Sequence, residues 1–294
     1  MREFQYRLFD NIFFLHTELK NKTYQHGGYQ TFSISDPKPR SIHKASVRDR
    51  LLHHAIYRIL YPFFDRTFIA DSYSCRYGKG THRAMNRFRD FTRKVSRNDT
   101  KTIWVLKCDI KKFFASIDQH ILLEILRTHI PDKDIIYLIE KIVGSFYITI
   151  KGKGLPLGNL TSQLLVNIYM NELDQFVKHE LKAKYYIRYA DDFIVLSRNK
   201  RWLENVLWGI KNFLFVKLQL KLHPDKVSIK TLASGVDFLG WIHFPDHRVL
   251  RATTKRRMIK AIVNNPKRET VASYAGMLKH GNAYKLSRYV QNRS

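Results

Sequence analysis

The chain of 294 residues is short of acidic residues, cysteines and long apolar runs. It has 25 Asp and Glu against 52 Lys and Arg, and Cys75 and Cys108 are its only cysteines. Two cysteines without closely spaced histidines argue against a zinc site or a disulfide framework. No apolar run approaches the length of a membrane span, and the first residues include an acid in place of an uninterrupted apolar stretch. We therefore expect a cytoplasmic protein without a membrane partner.

The chain has an excess of positive charge, with a formal net charge of +27 and a pI near 10.1. Basic residues alternate with apolar ones from Arg40 to Arg293, so the charge belongs to a folded surface and not to a tail. Such a surface favours a polyanion, and a nucleic-acid backbone is the natural partner. The alternative, a solvated surface without a partner, does not need so large an excess. The predicted backbone contacts are Lys38, Arg40, Arg248, Arg251, Lys255, Arg256 and Arg257.

Asp191 and Asp192 stand between two runs rich in β-branched and aromatic residues, which predicts a strand, a tight turn and a second strand. Adjacent carboxylates raise each other's pKa, so a rigid turn that holds them favours a counter-ion such as Mg²⁺. Another apolar run ends at Asp109. The three acids would hold two Mg²⁺ ions about 4 Å apart, the spacing used in nucleotidyl transfer, with Mn²⁺ as a substitute. The alternative is that paired aspartates are ordinary turn residues.

Three more basic residues are candidates for contacts with a triphosphate. The segment Asp71–His82 combines Arg76 and Lys79 with two glycines before a predicted helix, so its amides and cationic groups are expected to bind triphosphate oxygens. Lys226 follows a proline turn and is expected to protonate a pyrophosphate leaving group or to balance its charge. The alternatives are a basic turn that leads into a helix, and one surface lysine among many.

The remaining patterns predict an α+β fold in which helices back an antiparallel sheet. A hydrophobic content of 44% is enough for a sizeable core and two or three subdomains. Asp118 and Ser162 are predicted to cap helices, and Phe238–Trp241 is typical of a tight apolar hairpin. One face of an earlier helix is predicted from its apolar spacing: Leu51, Leu52, Ala55, Ile56, Ile59, Leu60 and Phe63.

Several segments, in this order, resemble the motifs of reverse transcriptases. Asp109–Phe114 resembles their first catalytic motif, Leu157–Gln163 their template-and-nucleotide motif, and Tyr189–Asp192 their catalytic hairpin. The likeness extends to the Lys226 region and to Phe238–Gly240. The resemblance implies a right-hand polymerase that makes DNA on an RNA template from deoxynucleoside triphosphates. It implies helical, basic fingers over residues 1–102, a palm over 103–245 to which 125–160 adds part of the fingers, and a short basic thumb over 246–294.

The resemblance also assigns roles to single residues. Asp109 and Asp191 are expected to bind both metal ions, with Asp192 assisting and the carbonyl group of Ile110 joining them. Phe114 matches the aromatic gate whose ring clashes with a ribose 2′-hydroxyl, the group that distinguishes the two sugars. The expected contacts of the nucleotide motif with the incoming nucleotide are Leu157, Gly158 and Gln163.

The nucleotide motif departs from the commonest family pattern, because Leu157-Gly158 replaces Gln-Gly and Ser162-Gln163 replaces Ser-Pro. These departures, with Ser46–Arg50, Asp71–His82 and Leu278–Asn282, resemble the diversity-generating retroelement branch. That resemblance implies copying of a template RNA with errors at adenines, an RNA/cDNA duplex, and a small, basic, oligomeric accessory variability protein. An apolar Leu157 should weaken discrimination against mispairs, so we predict that Leu157→Gln raises fidelity. Group II intron, retron and phage-defence reverse transcriptases, and a non-catalytic RNA-binding scaffold, are the alternatives.

Overall fold

A five-stranded sheet forms the centre of the protein in the computed structural model, which describes residues 6–35, 39–264 and 267–291. Its strands are β3 (Ser72–Tyr73), β4 (Trp104–Asp109), β5 (Tyr186–Tyr189), β6 (Asp192–Ser197) and β7 (Ser228–Thr231). They stand in the order β3-β5-β6-β4-β7. The β3–β5 pair is parallel and the other neighbours are antiparallel, which confirms the predicted α+β class.

Two smaller sheets and a set of helices surround the central sheet. The smaller sheets are the hairpin of β1 (Gln30–Ile34) and β2 (Arg40–Lys44), and the sheet of β8 (Val236–Phe238), β9 (Trp241–His243) and β10 (Arg248–Leu250). The helices are α1 (Leu8–Lys20), α2 (Val47–Asp65), α3 (Thr81–Ser96), α4 (Phe113–Ser116), α5 (Gln119–His129), α6 (Lys133–Gly144), α7 (Leu160–Gln175), α8 (Lys200–Leu218), α9 (Ala252–Asn264), α10 (Arg268–Leu278) and α11 (Tyr284–Gln291). Among the described residues, no helix has the length and apolar character that crossing a membrane requires.

Both faces of the central sheet are covered, because alternate side chains enter two hydrophobic cores. Leu106 and Tyr186 enter the larger core, which the sheet shares with α2, α5, α6, α7 and α8. Val105 and Ile187 enter a smaller core, which the sheet shares with α3 and β8. The continuous apolar run Phe193–Leu196 in β6 follows from this burial on both sides. A third core joins α9, α10 and α11 to Trp241 of β9.

The turn and cap at two predicted positions are confirmed. Asp118 accepts hydrogen bonds from the backbone N–H groups of His120 and Ile121, so it caps α5. The hairpin between β8 and β9 turns at Leu239 and Gly240, whose φ angles of 52° and 88° are both in the left-handed region. A two-residue turn with two positive φ values matches the twist of the strands that it joins.

Two other local predictions are wrong. Ser162 does not cap a helix, because α7 begins at Leu160 and Ser162 is buried inside it. Three of the seven residues predicted for one face of α2 are buried, namely Leu52, Ile56 and Leu60, whereas the other four are exposed: Leu51, Ala55, Ile59 and Phe63. The rest of the buried stripe consists of polar and aromatic residues, which apolar spacing alone does not identify. These residues are Asp49, His53, Tyr57, Tyr61 and Phe64.

Candidate active site

The three predicted metal-binding aspartates lie at one end of the central sheet. Strands β4 and β6 are antiparallel, and their register places Asp109 directly opposite Asp192. Tyr189 of β5 also pairs with Asp192, so Ala190 and Asp191 form a two-residue turn between β5 and β6. Ala190 has a φ of 54°, in the left-handed region that such turns require. The alternation of the hairpin and the end of β4 therefore bring together acids that are more than 80 residues apart in sequence.

The charges at this end of the sheet are crowded. Burial and the charge of Asp109 raise the pKa of Asp191, and Lys226 and Arg40 oppose the rise. Burial raises the pKa of Asp192 to about 7; Lys107 opposes this rise, and Asp109 and Asp191 add to it. Raised carboxyl pKa values of this kind are expected where like charges share a site from which water is partly excluded.

Two lysines neutralise part of this negative charge. Lys226 donates a hydrogen bond of 2.8 Å to Oδ1 of Asp109. The Nζ atom of Lys107 lies 3.4 Å from Oδ2 of Asp192 and donates a hydrogen bond of 2.6 Å to the carbonyl of Asp237. Oδ1 of Asp192 is buried and has no hydrogen-bond partner among the described residues. An unpaired carboxylate oxygen between like charges suits a cation as its partner.

The carboxylates of Asp109, Asp191 and Asp192 are of the ligand type that a hard divalent cation prefers. Within the described ranges, no group of three or more His, Cys, Asp or Glu side chains is arranged to hold a metal ion. The three carboxylates offer only oxygen ligands, which Mg²⁺ prefers. Ile110 is buried directly after β4 and forms an isolated bridge with Leu222, which fixes the backbone beside Asp109.

A buried ion pair lies beneath the Ala190–Asp191 turn, and the sequence pattern did not predict it. Arg188 of β5 binds Asp174 of α7 through hydrogen bonds of 2.7 to 2.9 Å, and both side chains are fully buried. Arg188 also donates to the carbonyl of Ala190 and to Oδ1 of Asn167, each at 3.1 Å. The ion pair thus holds the turn that carries Asp191. Two features of the sequence could have indicated this ion pair: Arg188 lies inside an apolar strand, and Asp174 lies in a helix with a largely apolar face.

Asn167 connects this network to the basic loop before α3. Its side chain donates a hydrogen bond of 3.1 Å to the carbonyl of Ser74, whose φ of 80° lies in the left-handed region. The N–H of Ala190 donates to the carbonyl of Tyr73 at 3.3 Å, and the hydroxyl of Tyr189 lies 3.0 Å from that of Thr81. The loop therefore lies against the catalytic hairpin.

The two predicted triphosphate ligands in this loop have other partners. Arg76 makes four hydrogen bonds to the carboxylate and carbonyl of Asp65 and to the carbonyls of Ile69 and Ser72, and its side chain is 6% exposed. Lys79 donates a hydrogen bond of 2.6 Å to the carbonyl of Ala70. These contacts assign Arg76 to the architecture of the loop, because its guanidinium group faces inward.

The predicted nucleotide motif is held in place by β2. The carbonyl of Leu157 accepts a hydrogen bond of 2.9 Å from the N–H of His43, and the Asn159 side chain donates 2.7 Å to the carbonyl of His43. Gly158 has a φ of 109°, and a Cβ at this position would lie 2.6 Å from Cγ2 of Ile42. Only glycine avoids both the strain and the clash. Gln163 lies in the first turn of α7 and is partly buried.

Phe114 lies in the short helix α4 directly after the end of β4. Its ring packs edge-to-face against Phe113 at 5.6 Å, and its carbonyl accepts a hydrogen bond of 2.8 Å from the N–H of Leu155. Gly154 has a φ of 97°, and a Cβ added there would lie 3.6 Å from the same carbonyl oxygen. Phe114, the predicted gate residue, is therefore fixed between β4 and the loop that leads to the predicted nucleotide motif.

The predicted nucleic-acid contacts are divided between two regions. Arg40 begins β2 and is exposed, and its charge acts on Asp191. Arg251 pairs with Asp237, and Arg248 donates to the carbonyl of His280. The neighbouring residues on α9 divide by exposure, with Lys255 and Arg256 exposed and Arg257 partly buried. Lys38 lies outside the described residues.

A protein-family model and several known proteins match the sequence of this chain. The family model described as "Reverse transcriptase (RNA-dependent DNA polymerase)" matches residues 34–243. Protein YkfC of Escherichia coli K12 is 25% identical over 287 residues, which cover 83% of this chain and 72% of that protein. The group II intron-encoded protein LtrA of Lactococcus lactis is 25% identical over 289 residues, which cover 75% of this chain and 46% of LtrA.

Solved structures share the fold. Apo telomerase from Candida tropicalis has a TM-score of 0.57 at 13% identity, over 75% of this chain and 48% of that one. Telomerase from Candida albicans, in complex with a fragment of telomeric RNA, has a TM-score of 0.56 at 12% identity, over 80% of this chain and 46% of that one. The chain therefore spans less than half the length of LtrA and of both telomerase chains.

Proposed function

This chain belongs to the reverse transcriptase family, and from that membership we propose that it is the error-prone RNA-directed DNA polymerase of a diversity-generating retroelement. The matched domain is that of an RNA-dependent DNA polymerase, so its reaction class is nucleotidyl transfer. The observation that carries the nucleotidyl-transfer part of the proposal is the register of β4 and β6, which sets Asp109 opposite Asp192 with Asp191 in the adjoining turn. The departures of the nucleotide motif at Leu157 and at Ser162-Gln163 support the retroelement part. A retired scaffold would have no physical need to keep three repelling carboxylates together.

Asp109, Asp191 and Asp192, with the carbonyl of Ile110, would hold two Mg²⁺ ions, with Mn²⁺ as a substitute. When bound, the ions would supply the positive charge that lowers the pKa of the 3′-hydroxyl of the growing strand and balances the triphosphate. The buried, unpaired Oδ1 of Asp192 and the raised pKa values of Asp191 and Asp192 support this assignment. Both carboxyl groups would be ionised by the cations, since an opposite charge at short range lowers a carboxyl pKa.

Basic residues beside the acids would act on the triphosphate. Lys226 donates a hydrogen bond of 2.8 Å to Asp109, and from this position it would donate to the pyrophosphate leaving group. The charge of Arg40 acts on Asp191 from the β1–β2 hairpin, which makes Arg40 a better candidate for a triphosphate contact than the inward-facing Arg76. Lys79 keeps this role only if its ammonium group leaves the carbonyl of Ala70.

Two apolar side chains would select the nucleotide. The ring of Phe114 would exclude the 2′-hydroxyl of a ribonucleotide, since it is fixed directly after the metal-site strand. Leu157 would replace an amide that hydrogen-bonds the incoming nucleotide, so mispairs would be rejected less strongly. The backbone around Leu157 is anchored to β2, which leaves its side chain as the variable part of this contact.

The division into fingers (1–102, with part of 125–160), palm (103–245) and thumb (246–294) belongs to the same proposal. The central sheet and its helices would form the palm, and α9, α10 and α11 would form the thumb. Exposed Lys255 and Arg256 would then contact the backbone of an RNA/cDNA duplex. A cytoplasmic location and a small, basic accessory variability protein are further parts of the proposal.

A group II intron-type enzyme is the second candidate, and the similarity to LtrA favours it. The two candidates differ in the RNA that each enzyme carries and in the errors that it makes. The test is to purify the protein from its own cells, sequence the RNA that copurifies, and sequence cDNA copied from a defined template. A template RNA with a small basic companion protein, and errors concentrated at adenines that decrease in Leu157→Gln, would support the retroelement. Recovery of a self-splicing intron RNA, with errors spread over all bases, would support the group II type.

A further inference from the structure

We propose that a cleft beside Arg89 of α3 is a phosphate-binding site. None of the aspartates Asp109, Asp191 and Asp192 lines this cleft. The cleft has a volume of about 390 Å³ and lies between α3, the turn that joins β9 to β10, and the loop that joins α10 to α11. Arg89 of α3, Arg248 at the start of β10 and Lys279 of the loop between α10 and α11 line it. Three basic side chains from separate parts of the chain therefore meet at one cavity.

These three cations have no acidic partner. Among the described residues, none of Arg89, Arg248 and Lys279 forms an ion pair. The one acid that lines the cleft, Asp246, has its side chain 81% exposed and binds the ring of His247 at 2.7 Å. The cleft therefore carries an excess of positive charge, which favours an anion.

The guanidinium group of Arg248 carries the most specific signal. Its Nε donates to the carbonyl of His280, and its Nη2 donates to Oδ1 of Asn86 at 3.3 Å. Its Nη1 is buried and has no hydrogen-bond partner in the described part of the chain. A buried donor without an acceptor is costly, and it is most costly when it is charged. An anion in the cleft would supply the missing acceptor.

The wall of the cleft is held in place by close contacts. Gly281 lies against the ring of Trp241 so closely that an added Cβ would overlap it. The N–H of Asn282 donates a hydrogen bond of 2.8 Å to the carbonyl of Arg248. The rings of His280 and His82 are stacked, with their centroids 3.6 Å apart. The loop Leu278–Asn282 thus forms a fixed wall of the cleft beside Nη1 of Arg248.

The chemistry of the cleft selects phosphate. Guanidinium groups bind phosphate oxygens in paired, charge-assisted hydrogen bonds, and two arginines with a lysine match a phosphate oxygen cluster. The cavity is large enough for a nucleotide but open, so the phosphate can belong either to a free nucleotide or to the backbone of bound RNA. Arg89 lies eight residues along α3 from Thr81, which contacts the catalytic hairpin, a separation of about 12 Å along the helix.

The test measures binding to Asp191→Asn protein, so that its result does not depend on polymerase activity. One arm titrates a labelled single-stranded RNA of twelve nucleotides at several salt concentrations, and the other titrates dAMP by calorimetry. Arg89→Ala and Arg248→Lys are compared with Arg93→Ala, a change at an exposed arginine one turn further along α3 and outside the cleft. Thermal melting of each variant checks that it is folded, and Arg89 is itself exposed, so its replacement should not disturb the core.

If the cleft binds phosphate, Arg89→Ala and Arg248→Lys should bind RNA or dAMP more weakly than Arg93→Ala does. If the phosphate belongs to RNA, the RNA dissociation constant rises several-fold in both variants. The log–log salt slope falls by about one in Arg89→Ala, which removes a charge, and stays unchanged in Arg248→Lys, which keeps it. If it belongs to a free nucleotide, dAMP binding is lost while RNA binding matches the control. Binding equal to that of Arg93→Ala in both arms would overturn the proposal.

Discussion

Lys226 reaches Asp109 across 117 residues of sequence and donates a hydrogen bond of 2.8 Å to its carboxylate. The lysine ends a short 3₁₀ turn, Pro224–Lys226, and the N–H of His223 before that turn donates 2.8 Å to the carbonyl of Asp109. The Nδ1 atom of His223 accepts from the N–H of Asp225 at 3.2 Å, which closes the turn. The backbone thus fixes the lysine next to the first metal-binding acid.

Replacing Lys226 with alanine should lower the rate of nucleotide incorporation by roughly 10²-fold, the lower range for loss of a general acid. Lys226→Arg keeps the positive charge, but arginine releases its proton less readily than lysine. The rate of this variant should therefore lie between the rates of wild type and Lys226→Ala. The measurement is single-nucleotide incorporation by rapid quench. Lys230→Ala, which removes an exposed lysine four residues away on β7, is the matched control. An equal loss in the control would show that only overall charge matters.

The stability of the protein should depend on pH through Asp192. Its pKa is about 7 in the folded protein and about 3.9 when unfolded, so between these values the folded state binds more protons. The free energy of unfolding contributed by Asp192 therefore falls as pH rises from about 4 to about 7. Asp192→Asn removes this dependence. Melting curves from pH 4.5 to 8 should show wild type losing stability relative to Asp192→Asn, and parallel curves would contradict the assignment.

Phe114→Val should admit ribonucleotides. A smaller side chain removes the ring that meets the 2′-hydroxyl, and a change in pocket fit of this size is worth roughly 10- to 100-fold in selectivity. The measurement is the ratio of kcat/KM for dCTP to that for rCTP on the same primer and template, so that each enzyme is its own control. Selectivity that stays at the wild-type value, with normal dCTP incorporation, would remove Phe114 from the gate.

Asn167→Ala should slow the chemical step without weakening nucleotide binding. The change removes the acceptor for Arg188 and the donor to the carbonyl of Ser74, so the catalytic turn loses part of its support. We expect a lower kcat, an unchanged KM for deoxynucleotides, and a stability loss of about 1–3 kcal/mol from unpaired buried groups.

Asn171→Ala is the matched control for this change, because Asn171 lies one turn further along α7 and hydrogen-bonds Gln175. It should lose similar stability while keeping its kcat. A kcat that falls equally in both variants would show that α7 acts through stability alone.

The parts of the fold that sequence predicted are those specified by local pattern. The alternation around Asp191, the polar residue ahead of the α5 stripe and the turn at Gly240 each depend on a few neighbouring residues. The convergence of Asp109 and Asp192 could be anticipated because acids at strand ends meet when the strands are antiparallel.

The parts that sequence did not predict depend on contacts between distant segments. Arg188 and Asp174 look like isolated charges until β5 lies on α7, and the inward turn of Arg76 depends on Asp65 of α2. Ser162 has the right residue type for a cap, but the chain enters α7 two residues earlier, where Asn159 is held by its side-chain bond to β2. Local preference yields to tertiary contacts at such positions.

The central claim is that the three converging aspartates carry out nucleotidyl transfer, and primer extension on an RNA template tests it most directly. Asp191→Asn, Asp109→Asn and the control Asp225→Asn, which changes an exposed acid next to Lys226, are compared with wild type in Mg²⁺ at equal RNA binding. We predict that incorporation disappears in Asp191→Asn and Asp109→Asn and persists in Asp225→Asn. Extension at the wild-type rate by Asp191→Asn would contradict the account.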